Sequence, residues 1–159
     1  NYHKEAPMKK LFRLTQAGVD ELQAELEKLT AKRPLIADAI KSARELGDLG
    51  ENAEYQTALA EKDRTDARVS DIENILQNTE IIKKPRGAAK VQLGSEVKLK
   101  SSGKTKEFQV VGTVEADPLN GKISDESPIG QALLGKKEGD AVEIVTPADT
   151  STYKIVAIS

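Results

Sequence analysis

Apolar positions along the first half of the chain recur at alternating steps of three and four. Val19, Leu22, Leu26, Leu29, Ile36, Ile40 and Ala43 form one series with Arg33 in register, and Tyr55, Ala58, Val69, Ile72 and Leu76 form a second with Lys62, Thr65 and Thr79. This spacing predicts two long helices, each with a heptad seam. The two series mirror each other about Leu49: Ala43 and Tyr55 are equally distant from it, as are Ile40 with Ala58 and so on out to Leu22 with Leu76. Mirrored registers are what an antiparallel helical hairpin requires, because each seam residue meets a partner equally far from the turn. Gly47-Asp48-Leu49-Gly50-Glu51-Asn52 is therefore the tip, and a first helix from Thr15 to Leu46 reaches about 48 Å at 1.5 Å per residue.

Local signals refine the hairpin. Thr15 is the expected N-cap of the first helix, and Gly18 is tolerated inside it at a cost of about 1 kcal/mol. Pro34 predicts a kink near Leu29 to Arg33 rather than an end. Arg33 is expected to find a carboxylate, Asp63 or Asp66, on the second helix, and Leu22, Leu26 and Leu29 are expected to pack on Leu76, Ile72 and Val69 at the base.

Beyond Ile82 the pattern changes. Lys83-Lys84-Pro85-Arg86-Gly87 reads as a linker, and from Val91 the period becomes two. Strands are expected over 96–100, 105–111, 113–117, 122–124, 141–146 and 152–158, with a short helix opened by Ser127-Pro128 and stopped at Gly135. The organisation is an N-terminal leader over 1–14, a coiled-coil hairpin over 15–82, a linker over 83–90 and a small domain over 91–159. The fold class is α+β, with a mostly antiparallel sheet and one helix following the hairpin. Asn1 to Pro7, ahead of Met8, are a remnant or a native tail, and the sequence leaves both open.

Composition narrows the chemistry. The chain has no cysteine and a single histidine, His3, which argues against disulfides, thiolate zinc sites and histidine catalysis. The first 84 residues hold 14 Lys and Arg against 16 Asp and Glu, and the remainder holds 10 against 10, so charge alone does not predict stand-alone nucleic-acid binding. No apolar run suits a signal peptide or a membrane span, and the reading is a cytoplasmic monomer.

The tip is one-sided. No base stands between Arg44 and Lys62, whereas Glu45, Asp48, Glu51, Glu54 and Glu61 are acidic. Asp48 three residues before Glu51 has the spacing of a capping box. The other reading is metal ligation. Two carboxylates are too few to hold Mg²⁺ alone, but they suit an arm that carries part of a metal site into a partner's centre. Tyr55 can stack on a base or pack in the seam, and Arg44 can meet phosphate or complement the helix C-terminus.

The stretch Ala43-Arg44-Glu45-Leu46-Gly47-Asp48-Leu49-Gly50-Glu51-Asn52-Ala53-Glu54-Tyr55 resembles the signature of the bacterial Gre transcript cleavage factors. A second match lies in Glu115-Ala116-Asp117, Gly121 to Ser124 and Ser127 to Asp140, which are similar to that family's C-terminal domain. The resemblance implies an FKBP-like fold for the second domain, which docks on RNA polymerase. It further implies that the hairpin enters the secondary channel of a backtracked elongation complex. There Asp48 and Glu51 share a catalytic Mg²⁺ completed by the polymerase, which then cuts the nascent RNA near its 3′ end. Arg44, Asn52 and Tyr55 fall on RNA-proximal positions. The chain would thus stimulate an enzyme without being one, and its lack of an extended basic arm surface is closer to the GreA subtype.

Two departures stand out. Gly50 replaces the family's usual serine, and Leu59 stands where Lys or Arg is usual, one turn past Tyr55 and expected to face RNA. Two other readings compete. One is a channel-binding regulator that does not promote cleavage, against which both acids argue; the other is an FKBP-type isomerase or chaperone, which needs aromatic pocket walls where only Phe108 and Tyr153 are on offer.

Overall fold

The computed structural model describes residues 11–47, 51–83, 90–145 and 147–159. The chain divides into two compact units, one spanning Val19–Asn78 and the other made of the flanking segments. No helix among the described residues is long and apolar enough to cross a membrane.

The first unit is built from α1 (Gln16–Glu45) and α2 (Ala53–Gln77). Helix α1 runs on through Pro34 without ending. The seam residues Val19, Leu22, Ile36, Ile40, Ala43, Ala58, Thr65, Val69 and Ile72 are buried. Ile36, Ile40 and Ala58 form one apolar cluster, against which Tyr55 and Leu59 pack. In the polar middle Arg33 Nε lies 3.3 Å from Asp66 Oδ1, one of the two expected partners, and Lys62 Nζ lies 2.7 Å from the other oxygen.

The base departs from the expected packing. Leu26, Leu29 and Leu76 are only half-buried, while Ile75 is buried in place of Leu76. Val69, Ile72 and Ile75 follow one another in steps of three on the buried side of the second helix, so at the base the expected step of four to Leu76 is replaced by a step of three. A bidentate pair closes the flank: Arg68 Nε and Nη2 donate to Glu25 Oε1 and Oε2 at 2.8 and 2.9 Å.

The second unit begins with β1 (Phe12–Leu14), which pairs in parallel with β2 (Thr79–Ile81). Leu14 is fully buried. Both strands fall where the sequence suggested leader and helix, and three residues are too few for a period to be visible. Next to β1, Thr15 caps α1 as expected, its Oγ1 accepting from Gly18 N at 3.2 Å.

The remaining strands are β3 (Glu96–Ser101), β4 (Lys104–Val111), β5 (Lys122–Ser124), β6 (Ala141–Val145) and β7 (Thr150–Ile158), with α3 (Pro128–Leu133). They form one sheet in the order β5-β4-β3-β7-β6, antiparallel except for the β4–β5 pair. Alternation places Val97, Leu99, Val142 and Ile144 inward, where they meet Val110, Ile123, Leu133 and Ile155. Ser127 caps α3 through its Oγ, which accepts from Gly130 N, as the Ser-Pro signal indicated. A two-residue turn at Ser102 and Gly103, with φ of 51° and 78°, joins β3 to β4 in the geometry that matches strand twist.

The expected strand over 113–117 is instead a 3-10 turn at Thr113–Glu115 followed by extended backbone. Its cause is Glu115, whose buried carboxylate accepts from Thr15 N at 2.8 Å and Thr15 Oγ1 at 2.5 Å, with Lys122 Nζ 3.8 Å away. The same carboxylate accounts for Gly18, because a Cβ there would lie 2.5 Å from Glu115 Oε1.

Candidate functional site at the hairpin tip

Helix α1 ends on Arg44 and Glu45, and the chain then turns at Gly47, whose φ of +111° favours glycine although nothing crowds its Cα. Leu46 N and Gly47 N donate to the carbonyls of Ala43 and Arg44, which tightens the last turn. Asp48 and Gly50 lie outside the described residues.

Glu51 is exposed and precedes the helix; α2 begins at Ala53 with Asn52 as its N-cap. Asn52 Oδ1 accepts from Tyr55 N at 3.1 Å, and Asn52 Nδ2 donates to Ala43 O at 2.7 Å. One side chain thereby satisfies an orphan N–H of α2 and a carbonyl at the end of α1. The cap is therefore Asn52, and Glu51 falls before the helical N3 position that a capping box would give it. The family resemblance gives Asn52 only as RNA-proximal; the sequence signal for its capping role is an Asn directly ahead of Ala53-Glu54.

Tyr55 is half-buried on the Ile36–Ile40–Ala58 cluster, as its seam position indicated, and the Arg44 guanidinium lies 5.8 Å from the centre of its ring. That contact holds Arg44 over the aromatic face beside the turn. Leu59 is half-buried against the same cluster, which corrects the expectation that it faces RNA: at this position an apolar side chain packs in the seam. The structure thus brings Arg44, Asn52 and Tyr55 together at the junction of the two helices, with the exposed carboxylate of Glu51 adjoining in sequence.

Comparison with known proteins matches residues 12–81 to the family described as "Transcription elongation factor, N-terminal" and residues 86–159 to "Transcription elongation factor, GreA/GreB, C-term". A protein of Lactococcus lactis subsp. cremoris named transcription elongation factor GreA is 45% identical over 155 residues, covering 95% of this chain and 99% of the relative. One of the same name from Acholeplasma laidlawii is 46% identical over 155 residues, with 95% and 98% covered. Among solved structures, that of the transcription factor Gfh1 is 34% identical and superposes with a TM-score of 0.47, covering 95% of this chain and 99% of that one.

Proposed function

Because the chain belongs to the GreA/GreB family of transcription elongation factors, we propose that it binds bacterial RNA polymerase and stimulates cleavage of backtracked RNA. In this reading the hairpin enters the secondary channel of the elongation complex, and Asp48 and Glu51 supply part of a Mg²⁺ site that the polymerase completes. The chain is not itself the enzyme.

The observation that carries the reading is the separation of tasks at the tip. Asn52 does the capping, so the carboxylate of Glu51 is exposed and not committed to the helix start. Carboxylate oxygen is the donor that Mg²⁺ takes, usually one or two per site with the remaining ligands from elsewhere, so Glu51 fits the group. Bound there, Mg²⁺ would acidify a water and stabilise charge on the phosphodiester. The chain's own residues would hold the carboxylate at the end of a stiff arm, with Arg44 fixed over Tyr55 next to the anionic RNA. No specific observation favours an isomerase. Phe108 lines a cleft of about 400 Å³ with Glu96, Lys98, Glu107 and Lys122, a charged wall, while Tyr153 lies elsewhere under Lys106.

The test is to incubate the protein with stalled, backtracked elongation complexes and Mg²⁺ and to follow shortening of the RNA. Glu51→Gln and Asp48→Asn are each expected to lower the cleavage rate by about 100-fold or more, the scale of losing a preorganised charged group, while polymerase binding persists. Full cleavage by both variants overturns the metal-site reading.

A further inference from the structure

Among the described residues one charged side chain is buried, and the cleavage reading does not use it: the side chain of Glu115 is 1% exposed. A carboxylate out of water is costly unless it is hydrogen-bonded and paired, so its partners show what the cost serves. Lys122 Nζ of β5 lies 3.8 Å from Glu115 Oε2. Two hydrogen bonds come from Thr15, whose N–H donates to Oε1 and whose hydroxyl donates to Oε2. Thr15 Oγ1 also accepts from Gly18 N, so the one hydroxyl gives its proton to Glu115 and a lone pair to α1. The carboxylate thereby stands at the start of α1, where unpaired N–H groups and the helix dipole favour an anion.

Other contacts hold the same turn. Residues up to Gly18 belong to the sheet unit. Leu14 is fully buried, and its carbonyl accepts from Ile82 N at 2.7 Å. Gly112 lies so close to β1 that a Cβ there would overlap the carbonyl oxygen of Arg13, as a Cβ on Gly18 would overlap Glu115. From this socket α1 continues as one helix of 30 residues, about 45 Å long. A swing of about 10° at its root would carry the far end through about 8 Å. Displacing a reacting group by about 1 Å can cost about 100-fold in rate.

We propose that Glu115 is a positioning residue for RNA cleavage: by clamping Thr15 it fixes the root of α1 and so the delivery of the tip carboxylates. This rests on the cleavage reading given above. Stability alone does not call for a carboxylate here, because replacing a buried ion pair with well-packed apolar groups is often neutral or stabilising. Directed bonds to the cap of the arm helix give the charge a geometric task instead.

The test has one arm without polymerase and one with it. The chain has no cysteine, so Thr57→Cys on α2 and Thr105→Cys on β4, both exposed, place a pair of spin labels without background. Double electron–electron resonance on the full chain reads the spread of distances between them. Glu115→Gln and Thr15→Val are each expected to broaden that spread by about 5 Å or more, whereas Thr15→Ser, which keeps the N–H and the hydroxyl, retains the wild-type width. Thr15→Val leaves the Glu115 charge in place, so a shared outcome does not come from one common folding defect, and circular dichroism at 222 nm checks that each variant is folded. With stalled, backtracked elongation complexes, Glu115→Gln and Thr15→Val should lower the maximal cleavage rate by about 10- to 100-fold at an unchanged half-saturating concentration, and Thr15→Ser should restore it. A purely stabilising role would move the unfolding midpoint and leave both the width and the maximal rate as they were. An unchanged width, a broadened width with full maximal rate, or a loss confined to the half-saturating concentration overturns this proposal alone. A wild type that does not stimulate cleavage overturns the cleavage reading, and this proposal with it.

Discussion

The hairpin and the sheet unit bury their side chains by different geometries, and the difference sets what each can tolerate. In the sheet, every second residue of β3 and β6 turns inward, and Val97, Leu99, Val142, Leu133 and Ile155 close on one another from two layers. In the hairpin about two residues in seven face the partner helix, the seam passes through Arg33, Lys62 and Thr65, and much of the surrounding structure is exposed ion pairs. The sheet has a core in three dimensions; the hairpin has a line of contacts. A line can be interrupted and still hold on either side, whereas a packed core transmits a defect to all its members.

The largest expected effect follows from that contrast. Leu99→Ala, in a fully buried site, should destabilise the sheet unit by about 2–5 kcal/mol. In a Tyr2→Phe/Tyr55→Phe background, where Tyr153 is the one remaining tyrosine, denaturant unfolding followed by tyrosine fluorescence should move to lower concentration, while the helical signal of the hairpin at 222 nm melts near its original midpoint. A single shared transition would break the comparison. An intermediate effect is expected at the tip: Asn52→Ala removes the cap and the link to Ala43, which should cost the hairpin about 0.5–2 kcal/mol. Asn52→Asp keeps the accepting oxygen and should recover part of that loss in the same melt.

The smallest effect is electrostatic. The hydrogen bonds from Arg68, with its charge, hold the Glu25 carboxyl below the ordinary carboxylate value. Its contribution is therefore complete above that ordinary value and is lost as pH falls through the lower, folded value. The pair is well exposed, so its worth is about 0.2–1 kcal/mol. The urea midpoint of the hairpin should fall on acidification through that window, and Glu25→Gln should flatten the dependence; an unchanged slope would show that the pair contributes nothing.

Much of this architecture is legible in the sequence where one period governs many residues. The mirrored seams locate both helices, and the Ser127-Pro128 and Gly135 signals bracket α3. What escapes is long-range. The β1–β2 pair joins Phe12 to Thr79, and Glu115 turns inward because Thr15, a hundred positions earlier, meets its carboxylate. The same contact explains Gly18, which local propensity records only as a weakness. At the tip, Asp48 with Glu51 offered the spacing of a capping box, but Asn52 is the cap because it reaches both helix ends. Leu59 escapes for a related reason: the family pattern marks its place as basic, whereas its packing is set by Ile36 and Ile40, which lie far from it in sequence.

The parallel pairing of β1 with β2 also dictates an order of events during folding. The two strands are separated by roughly 64 residues, and closing a flexible loop of that length costs about 4 kcal/mol in chain entropy. A ladder of three residues cannot offset this while the intervening chain is unfolded. Once α1 and α2 have zipped together, that separation is already spanned and most of the closure cost has been met. The β1–β2 ladder should therefore form only after the hairpin, and slow amide exchange within it would report that the arm is complete.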